Sequence, residues 1–384
     1  MKRNVLLFTI CLSFVSYACQ PDKKKVDNSG KVKKITVLPD QVSKFCLEKE
    51  TEKFFFIPLE TKSESLIKYI DKLYLTDNEI IAVNKPQKTI FIFDKATGAL
   101  KHTIFHGGKG PQEYTTITDV LFDEQQKNFE ILDRSSKKLV IYNFKGDFLK
   151  SCRIENINES GLGFYKTTHY YFFDRAIASF GKIDGNRIAV YDAENFKFPK
   201  SFFPFPKSMK KFNFLYSHTM DLYSDTLYFL PLFDNKIYRL SSEGLLPEYE
   251  IDFPGKVEIN TDEMEEIDDA GSLEYYMSKK NQLSGYSNLF ITDEFVAFSY
   301  KSKDAILYDH VLCSKTTGKV KQYNEILTED NKKFRCLSKI IAKDKDYFVA
   351  VIDPTLYKYL PSSISKNLDN ESNPVLLFFK LKKF

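Results

Sequence analysis

The chain has 384 residues, of which 56 are Lys or Arg and 52 are Asp or Glu, so its formal net charge is +4 at pH 7. This near balance argues against a nucleic-acid-binding protein, which usually concentrates basic residues on one face. Aromatic residues make up 15% of the chain, with 35 Phe and 23 Tyr but no Trp. Their apolar area and their preference for strands favour a large β core.

The N-terminus has the pattern of an export signal. Two basic residues precede an apolar run over residues 5–15, which is shorter than the roughly 18 residues that a membrane-spanning helix needs. The segment ends in "VSYAC", which resembles the lipobox of bacterial lipoproteins, where the signal is cut before the cysteine and the cysteine is acylated. The resemblance implies a lipoprotein signal peptide over residues 1–18 and lipidation at Cys19. The alternative is an ordinary signal peptide cleaved near Ala18, with Cys19 incidental.

The segment that follows, "QPDKKKVDNSGKVKK", is polar and charged. Such a composition cannot bury enough apolar surface to fold, which predicts a flexible tether over residues 19–34. We therefore expect an outer-membrane lipoprotein of a bacterial envelope, attached to the membrane through its lipid. Surface-exported lipoproteins of the Bacteroidetes type usually look acidic after the cysteine, whereas here Asp22 precedes three lysines. This difference favours the periplasmic face over the cell surface.

Four short apolar runs, each closed by a small polar residue, recur at a constant spacing. Each ends 49 residues after the one before it; the runs are "TIFIFD", "LVIYN", "IAVYD" and "IYRLS", ending at Asp94, Asn143, Asp192 and Ser241. A glycine follows three of the runs within three or four residues and another strand-like run comes next, as in a hairpin. Two further apolar segments lie upstream of each run. Four strands in about 50 residues are the content of one propeller blade.

The remaining sequence continues the repeat. A fifth unit, marked by "LCSKTTG", is displaced by an acidic insertion at about residues 260–285, which is predicted to be helical with Thr261 near its cap. A sixth unit has "YFVAVID" and "NPVLLFFKLKKF", separated by a polar loop over residues 353–374. We predict an all-β fold over residues 35–384, a six-bladed β-propeller of four-stranded antiparallel blades. An N-terminal strand in the last blade, from "KITVL" and "KFFFIPLE", is expected to close the ring.

One loop, "HGGKGPQEY" at residues 106–114, carries a family resemblance. It is similar to the G-x-G-P-G-E-[FY] motif of six-bladed β-propeller lipoproteins of Bacteroidetes, a TolB-like and NHL-like group. The matching residues are Gly108, Gly110, Pro111, Glu113 and Tyr114, with Gln112 where the family typically has glycine. The resemblance implies the fold and an envelope location, and it implies no particular reaction.

The same loop lacks the features of a phosphate-binding loop. A P-loop needs G-x-x-x-x-G-K-[ST] at the start of a helix, whereas this loop leads into the strand-like "TTITDVLFD". We favour a bent connection between blades, in which Glu113 accepts backbone hydrogen bonds. The alternative is a ligand-binding loop formed by Gly108, Lys109, Gly110, Pro111, Glu113 and Tyr114.

Three aspartates, Asp71, Asp119 and Asp221, are each predicted to begin an inner strand. Their spacing is close to one and two repeats, which would put them at equivalent heights around a central channel. A carboxylate ring there could bind Ca²⁺ or another hard cation, and in lactonase-like propellers such a metal polarises a carbonyl. The alternative, which we favour, is that they accept backbone amides where blades meet.

Other catalytic and metal-binding motifs are missing from the sequence. It contains neither H-E-x-x-H nor G-x-S-x-G, so a zinc peptidase or serine hydrolase has little support. Beyond Cys19, the mature chain has Cys46, Cys152, Cys313 and Cys336 with no C-x-x-C spacing. Cys313 and Cys336 form the candidate disulfide of an oxidising compartment. Buried free thiols are the favoured alternative.

Together these features predict a monomeric, non-catalytic binding or scaffold module for a protein, peptide or glycan ligand. Its loop face, including the insertion and residues 353–374, is expected to bind, because loops on a rigid scaffold usually carry function. No cofactor is expected. The alternative function is a metal-assisted hydrolase or lyase that uses the channel carboxylates, with Ca²⁺ in the central channel.

Overall fold

A computed structural model provides the fold. It describes residues 32–384 except residues 68, 155–159, 167–170, 176–185, 193–196, 205–217, 232–233, 241–243, 257–266, 268–284, 302–307, 329–339 and 353. Cys19, most of the predicted tether and nearly all of the predicted helical insertion, including Thr261, lie outside the described residues. Those predictions therefore stay predictions.

Within the described residues, 26 strands form six separate sheets. Sheet 1 contains β4 (Lys72–Leu75), β5 (Glu79–Asn84), β6 (Thr89–Asp94) and β7 (Leu100–Ile104), and sheet 2 contains β8 (Asp119–Asp123), β9 (Asn128–Asp133), β10 (Lys138–Asn143) and β11 (Phe148–Arg153). Sheet 3 contains β12 (Ser160–Lys166), β13 (Tyr171–Arg175), β14 (Asn186–Asp192) and β15 (Lys197–Pro204). Sheet 4 contains β16 (Met220–Tyr223), β17 (Thr226–Phe229), β18 (Lys236–Leu240) and β19 (Leu245–Asp252), joined by β1 (Lys33–Thr36).

The last two sheets also take strands from the N-terminal region. Sheet 5 contains β20 (Ser287–Ile291), β21 (Phe295–Lys301), β22 (Tyr308–Ser314) and β23 (Val320–Leu327), joined by β2 (Ser43–Cys46). Sheet 6 contains β24 (Ile340–Asp344), β25 (Tyr347–Ile352), β26 (Val375–Leu381) and β3 (Thr51–Pro58). Every sheet contains four strands that pair antiparallel with their neighbours. The chain is therefore an all-β propeller with four-stranded antiparallel blades, as the sequence predicts.

The core consists of six apolar clusters, and each cluster lies between two sheets. Clusters join sheet 1 to 2, 2 to 3, 3 to 4, 4 to 5 and 5 to 6, and one further cluster joins sheet 6 to sheet 1. A strand in the middle of a sheet is therefore covered on both faces. This explains why β5, with the sequence "EIIAVN", is apolar at successive positions instead of alternating.

The four runs spaced by 49 residues occupy equivalent places. They are the third strands of sheets 1 to 4, namely β6, β10, β14 and β18. The repeat in the sequence thus reflects the part of each blade that carries the hairpin between the third and fourth strands.

The N-terminal strands partly differ from the prediction. The "KFFFIPLE" segment forms β3, which pairs with β26 in sheet 6, but "KITVL" forms β1 and pairs in parallel with β19 of sheet 4. Between them, β2 pairs in parallel with β23 of sheet 5. Ile35 and Phe45 supply the reason, because each buries its side chain in an apolar cluster beside the strand it joins. Residues 33–58, which we call the strap, therefore cross three consecutive sheets.

Short helices accompany the strands. Helix α1 (Leu47–Glu50) lies between β2 and β3. The predicted polar loop 353–374 contains a 3-10 helix (Pro354–Tyr359) and α2 (Ser362–Ser365). It is anchored by buried Tyr357, whose hydroxyl donates to the Asn373 carbonyl at 2.7 Å. Among the described residues, no helix has the length and apolar character needed to cross a membrane.

The strap should contribute strongly to stability through Phe45. This side chain is 3% exposed and packs on the rings of Tyr323 and Phe379 at centroid distances of 5.0 and 5.7 Å. We expect Phe45→Ala to lower the free energy of unfolding by about 3 to 5 kcal/mol, since it leaves a cavity between sheets 5 and 6. Urea denaturation followed by fluorescence measures this change in the free energy of unfolding. Leu149→Ala is the control, because Leu149 is 51% exposed on β11; an equal loss in both variants would contradict the role of the strap.

Candidate functional site

The first strands of the sheets face one another around the propeller axis. Contacts join β4 to β24, β24 to β20, β20 to β16 and β12 to β8. Side chains from these strands therefore meet between sheets, at the place where the sequence predicts a central channel. Three charged clusters lie there.

Asp119 belongs to the first cluster, at the start of β8. Its carboxylate accepts from Lys72 Nζ at 2.9 Å and lies 3.4 Å from Lys85 Nζ. The Lys72 ammonium also lies over the rings of Tyr74 and Tyr165. Burial opposes ionisation of Asp119, but the attraction of the two lysines outweighs it and holds the pKa of the carboxyl below its ordinary value.

Asp221 belongs to the second cluster, on β16. Its Oδ2 accepts from the backbone amide of Ile291 at 2.6 Å and pairs with Lys343 Nζ. The Lys343 ammonium also donates to the carbonyls of Ile291 and Leu222 at 2.7 and 3.2 Å. Burial raises the pKa of Asp221 and outweighs the attraction of Lys343. One lysine of sheet 6 thus ties sheets 4 and 5 together.

Asp71 stands apart from the other two. It precedes β4 instead of beginning it, and its Oδ2 accepts from the backbone amide of Lys85 at 2.8 Å. The three predicted aspartates therefore do not form one ligand set. In the part of the chain that the structure describes, no three His, Cys, Asp or Glu side chains are grouped to hold a metal ion. The three carboxylates accept hydrogen bonds from backbone amides or lysines.

The third cluster is one that sequence reasoning missed. Lys166, at the end of β12, donates to Asp123 Oδ2 at 2.9 Å and to Glu130 Oε1 at 2.8 Å. Burial lowers the pKa of Lys166, but its hydrogen bonds to Glu130 and Asp123 outweigh burial and raise it. A signal existed in the sequence, because Glu130 is the one charged side chain inside "NFEIL".

Each of the three clusters contains an ion pair that links two sheets. Glu130 is 1% exposed and Asp119 is 3% exposed. Removing one member of such a pair leaves a buried charge without its partner, which is costly. Their arrangement therefore suits holding neighbouring sheets in register more than binding a metal.

The glycine loop at residues 106–114 is held by hydrogen bonds within the loop. The Glu113 side chain turns inward, and its Oε2 accepts from the backbone amide of Gly110 at 2.7 Å. A Cβ on Gly108 would lie 1.9 Å from that oxygen, and a Cβ on Gly110 would lie 3.0 Å from it. The glycines are therefore needed because Glu113 occupies the space above them.

Aromatic residues fix the loop between sheets 1 and 2. The Tyr114 hydroxyl donates to the Lys88 carbonyl at 2.8 Å, and the Tyr142 hydroxyl donates to the Gln112 carbonyl. His106 stacks on Tyr142 at a centroid distance of 4.6 Å. Of the residues predicted to bind a ligand there, Gly108, Gly110, Glu113 and Tyr114 take part in contacts within the protein, while Lys109 and Pro111 are exposed. The ligand-binding interpretation of this loop stays a prediction.

The described cysteines are free thiols. Cys46, Cys152 and Cys313 have no disulfide partner, and burial raises the pKa of Cys313 to about 11. Cys336 lies outside the described residues.

A family profile with the description "Domain of unknown function (DUF4934)" matches residues 32–380. The chain belongs to this family. The matched range begins just before β1 and ends in β26, so the family is defined by the strap and all six sheets. Its description assigns no activity.

Two solved structures have a similar fold. A Bacteroides fragilis protein described as a "putative exported protein" matches with a TM-score of 0.70 and 18% identity, over 92% of this chain and 100% of that chain. A member of the DUF4221 family from Bacteroides vulgatus matches with a TM-score of 0.53 and 10% identity, over 86% of this chain and 97% of that chain. At these identities the likeness concerns the fold alone. A comparison with curated proteins finds no match.

The glycine loop leads to a double-mutant test. Gly108→Ala should cost about 1 to 3 kcal/mol of unfolding free energy, because Glu113 must swing away and leave the Gly110 amide without its acceptor. Glu113→Ala should cost a similar amount, and the double variant should cost less than the sum, since both changes remove the same bond. Thermal denaturation measures all three. Gly244→Ala is the control, because no atom lies within 4 Å of its added Cβ; additive losses would show that Glu113 does not explain the glycine.

The two channel aspartates should affect stability in opposite ways as pH changes. The pKa of Asp221 is raised above 3.8 in the folded protein, so the stability that this shift contributes is present below that value and is lost as pH rises through the folded pKa. The stability of Asp221→Asn relative to wild type should therefore increase as pH rises from about 4. The pKa of Asp119 is lowered below 3.8, so its contribution is present above that value and disappears as pH falls below it. Asp119→Asn should therefore be less stable at neutral pH, with the deficit shrinking in acid. Melting temperatures measured against pH test both variants. If the stability of both variants relative to wild type changed in the same direction with pH, these pKa assignments would be wrong.

Proposed function

We propose that this protein is a lipid-anchored propeller of the bacterial envelope that binds a protein or peptide partner and carries out no chemistry itself. The observation that carries the proposal is the distribution of exposed apolar side chains. Three of the six large exposed apolar side chains among the described residues, Leu66, Tyr69 and Phe105, lie near the hairpin turn between β5 and β6 and are 46%, 47% and 57% exposed. An exposed apolar group of this kind commonly marks an interaction site.

The polar clusters give less support to an enzyme. Asp119 and Asp221, the carboxylates that a metal-assisted hydrolase or lyase would use, already hold Lys72 and Lys343. In the glycine loop, the Glu113 carboxylate accepts from the Gly110 amide of the same loop. No described group favours the hydrolase or lyase over the binding module.

The rigid scaffold is proposed to be a closed ring of six blades. The support is the series of six apolar clusters, the last of which packs Phe378 of sheet 6 with Ile80 of sheet 1. Polar contacts follow the same series, since Lys95 of sheet 1 pairs with Asp344 of sheet 6 at 2.7 Å. An experimental structure with any other number of blades would contradict this part of the proposal.

The location is proposed to be the periplasmic face of the outer membrane, with Cys19 acylated. The export pattern and the lipobox-like "VSYAC" support it, and the fold is shared with a protein described as a "putative exported protein". The tether over residues 19–34 would then separate the propeller from the lipid.

Photo-crosslinking in intact cells tests the binding function. A photoreactive amino acid is placed in the full-length protein at Phe105 on sheet 1, at Leu246 on sheet 4 or at Lys345 in sheet 6. We expect one defined protein to crosslink from Phe105 and not from the other two positions. A defined adduct from another position would support the binding function but place its site elsewhere. Absence of adducts from all three positions would overturn the binding function.

The lipid anchor has its own test. Cys19→Ser should shift the protein from the membrane fraction to the soluble fraction; continued membrane association of this variant would overturn the proposed anchor.

A further inference from the structure

Leu66 and Tyr69, two of the three exposed apolar side chains at sheet 1, lie on a backbone segment that is fixed by hydrogen bonds. The Leu66 carbonyl accepts from Gln87 Nε2 at 2.9 Å, and the Tyr69 carbonyl accepts from Asn84 Nδ2 at 3.0 Å. Between them, the Ile67 amide donates to Asn373 Oδ1 at 2.8 Å, and the Ile67 side chain is buried. The segment cannot fold inward to cover its own apolar groups. A surface fixed in this way loses little conformational entropy when a partner binds.

Phe105 continues the same surface on the other side of the turn. It follows β7 directly and is 57% exposed. A Cβ on Gly107 would lie 2.9 Å from the Phe105 ring and 3.6 Å from Lys88 Cδ, so Phe105 and Lys88 are neighbours over this glycine. The apolar surface therefore reaches from the loop before β4 across the β5–β6 turn to the start of the glycine loop.

Four cations border these apolar groups. Lys88 lies in the β5–β6 turn, Lys109 is exposed in the glycine loop, and Arg134 and Lys137 are exposed in the adjoining β9–β10 turn. That turn touches the glycine loop, because Lys138 Nζ donates to the Gly110 carbonyl at 3.1 Å. No ion pair of these four cations occurs among the described residues, whereas many surface lysines elsewhere have one.

The acids near this surface do not neutralise it. Glu113 is turned into the loop, and Asp133 is fully buried, where it accepts from Thr115 and Thr116. Glu64 is exposed beside Leu66 and accepts from the Ser63 hydroxyl. The four cations therefore outnumber the exposed Glu64 carboxylate, and the surface is apolar at one side and mainly positively charged across the rest. We call Leu66, Tyr69, Phe105, Lys88, Lys109, Arg134 and Lys137 the sheet 1 patch.

We infer that the sheet 1 patch docks an extended acidic segment of a partner protein, one that carries apolar side chains among its carboxylates. The inference rests on the proposed binding function and names the partner's chemistry. Apolar anchors of the segment would cover Phe105, Tyr69 and Leu66, while its carboxylates would pair with the four cations. Buried aromatic contacts usually supply most of the affinity, and charge complementarity sets orientation and specificity.

Two other occupants fit less well. A membrane surface needs apolar side chains that project into the headgroup region, and more than half of Leu66 and Tyr69 is covered by the chain itself. A glycan would stack on aromatic faces, and the patch offers two aromatic rings separated by a charged turn. A peptide in extended form covers about 3.3 Å per residue, so a short segment can contact both the apolar and the cationic side chains.

Binding of designed peptides to the full-length protein in detergent tests the inference. The probe is a fluorescein-labelled 12-residue peptide that alternates Glu with Phe or Leu. One matched peptide replaces every Glu with Lys, and another replaces every apolar residue with Ser. We expect saturable binding of the first peptide, detected by fluorescence anisotropy, and at least tenfold weaker binding of both others.

Variants locate the binding to the patch. Phe105→Ser and the double variant Lys88→Glu/Lys109→Glu should each weaken binding of the acidic peptide about tenfold or more, and the charge variant should also reduce its salt dependence. Leu149→Ser and Lys150→Glu/Lys319→Glu are the matched controls, because these side chains are exposed outside the patch, on β11 of sheet 2 and in the β22–β23 turn of sheet 5, and they should leave binding unchanged. Circular dichroism verifies that each variant is folded.

Three results would overturn the inference. They are no saturable binding of the acidic peptide, equal binding by the patch variants, or patch-dependent binding of vesicles of phosphatidylglycerol and phosphatidylethanolamine without binding of the peptide. The proposed function has a separate outcome. If a defined protein crosslinks in cells from another position while the peptides fail, the protein is a binding module and the assignment of the sheet 1 patch is wrong.

Discussion

Packing of one sheet against the next is the interaction on which the structure depends. A four-stranded sheet with both faces apolar cannot bury them alone, and each sheet here gives one face to the sheet before it and one to the sheet after it. The cluster of Ile80, Ala82 and Phe378 and the cluster of Ile81, Val83 and Val120 illustrate the two faces of sheet 1. Every sheet therefore needs a neighbour on each face, and this requirement supports the proposed closed ring. The strap adds to this arrangement by covering the outer edges of sheets 4 and 5, which would otherwise expose unpaired backbone groups.

The same geometry explains the charges near the axis. First strands converge, so the space between them is narrow and lysine side chains are long enough to cross from one sheet to another. Lys343 of sheet 6 reaches Asp221 of sheet 4, and Lys166 of sheet 3 reaches Glu130 of sheet 2. A carboxylate in such a place is not available to a metal while a lysine occupies it. The channel clusters and the apolar clusters therefore serve one purpose, which is to fix the sheets relative to each other.

The sequence predicts the blades well because each blade repeats a local pattern. Runs such as "TIFIFD" at β6 and "LVIYN" within β10 are strands with a constant spacing, and each is the third strand of a four-stranded sheet. The route of the strap was not predictable in the same way. Nothing local distinguishes "KITVL" as a partner of β19 from a partner of β26, since either sheet offers an apolar cluster to Ile35. Parallel pairing with a strand more than 200 residues away is a property of the assembled propeller.

The pairing of side chains in the candidate site was also not predictable from the sequence. Spacing places Asp119 near the start of an inner strand, but it does not reveal that Lys72 occupies the equivalent position in sheet 1, opposite Val83 as Asp119 is opposite Leu132. An acid and a base at equivalent positions of neighbouring sheets form a pair, whereas two acids there would form a cation site. The glycine loop is a similar case, because its composition suggests an open cradle while Glu113 fills it. Because these polar motifs are engaged inside the protein, the proposed binding function rests on the exposed aromatic and cationic side chains beside that loop.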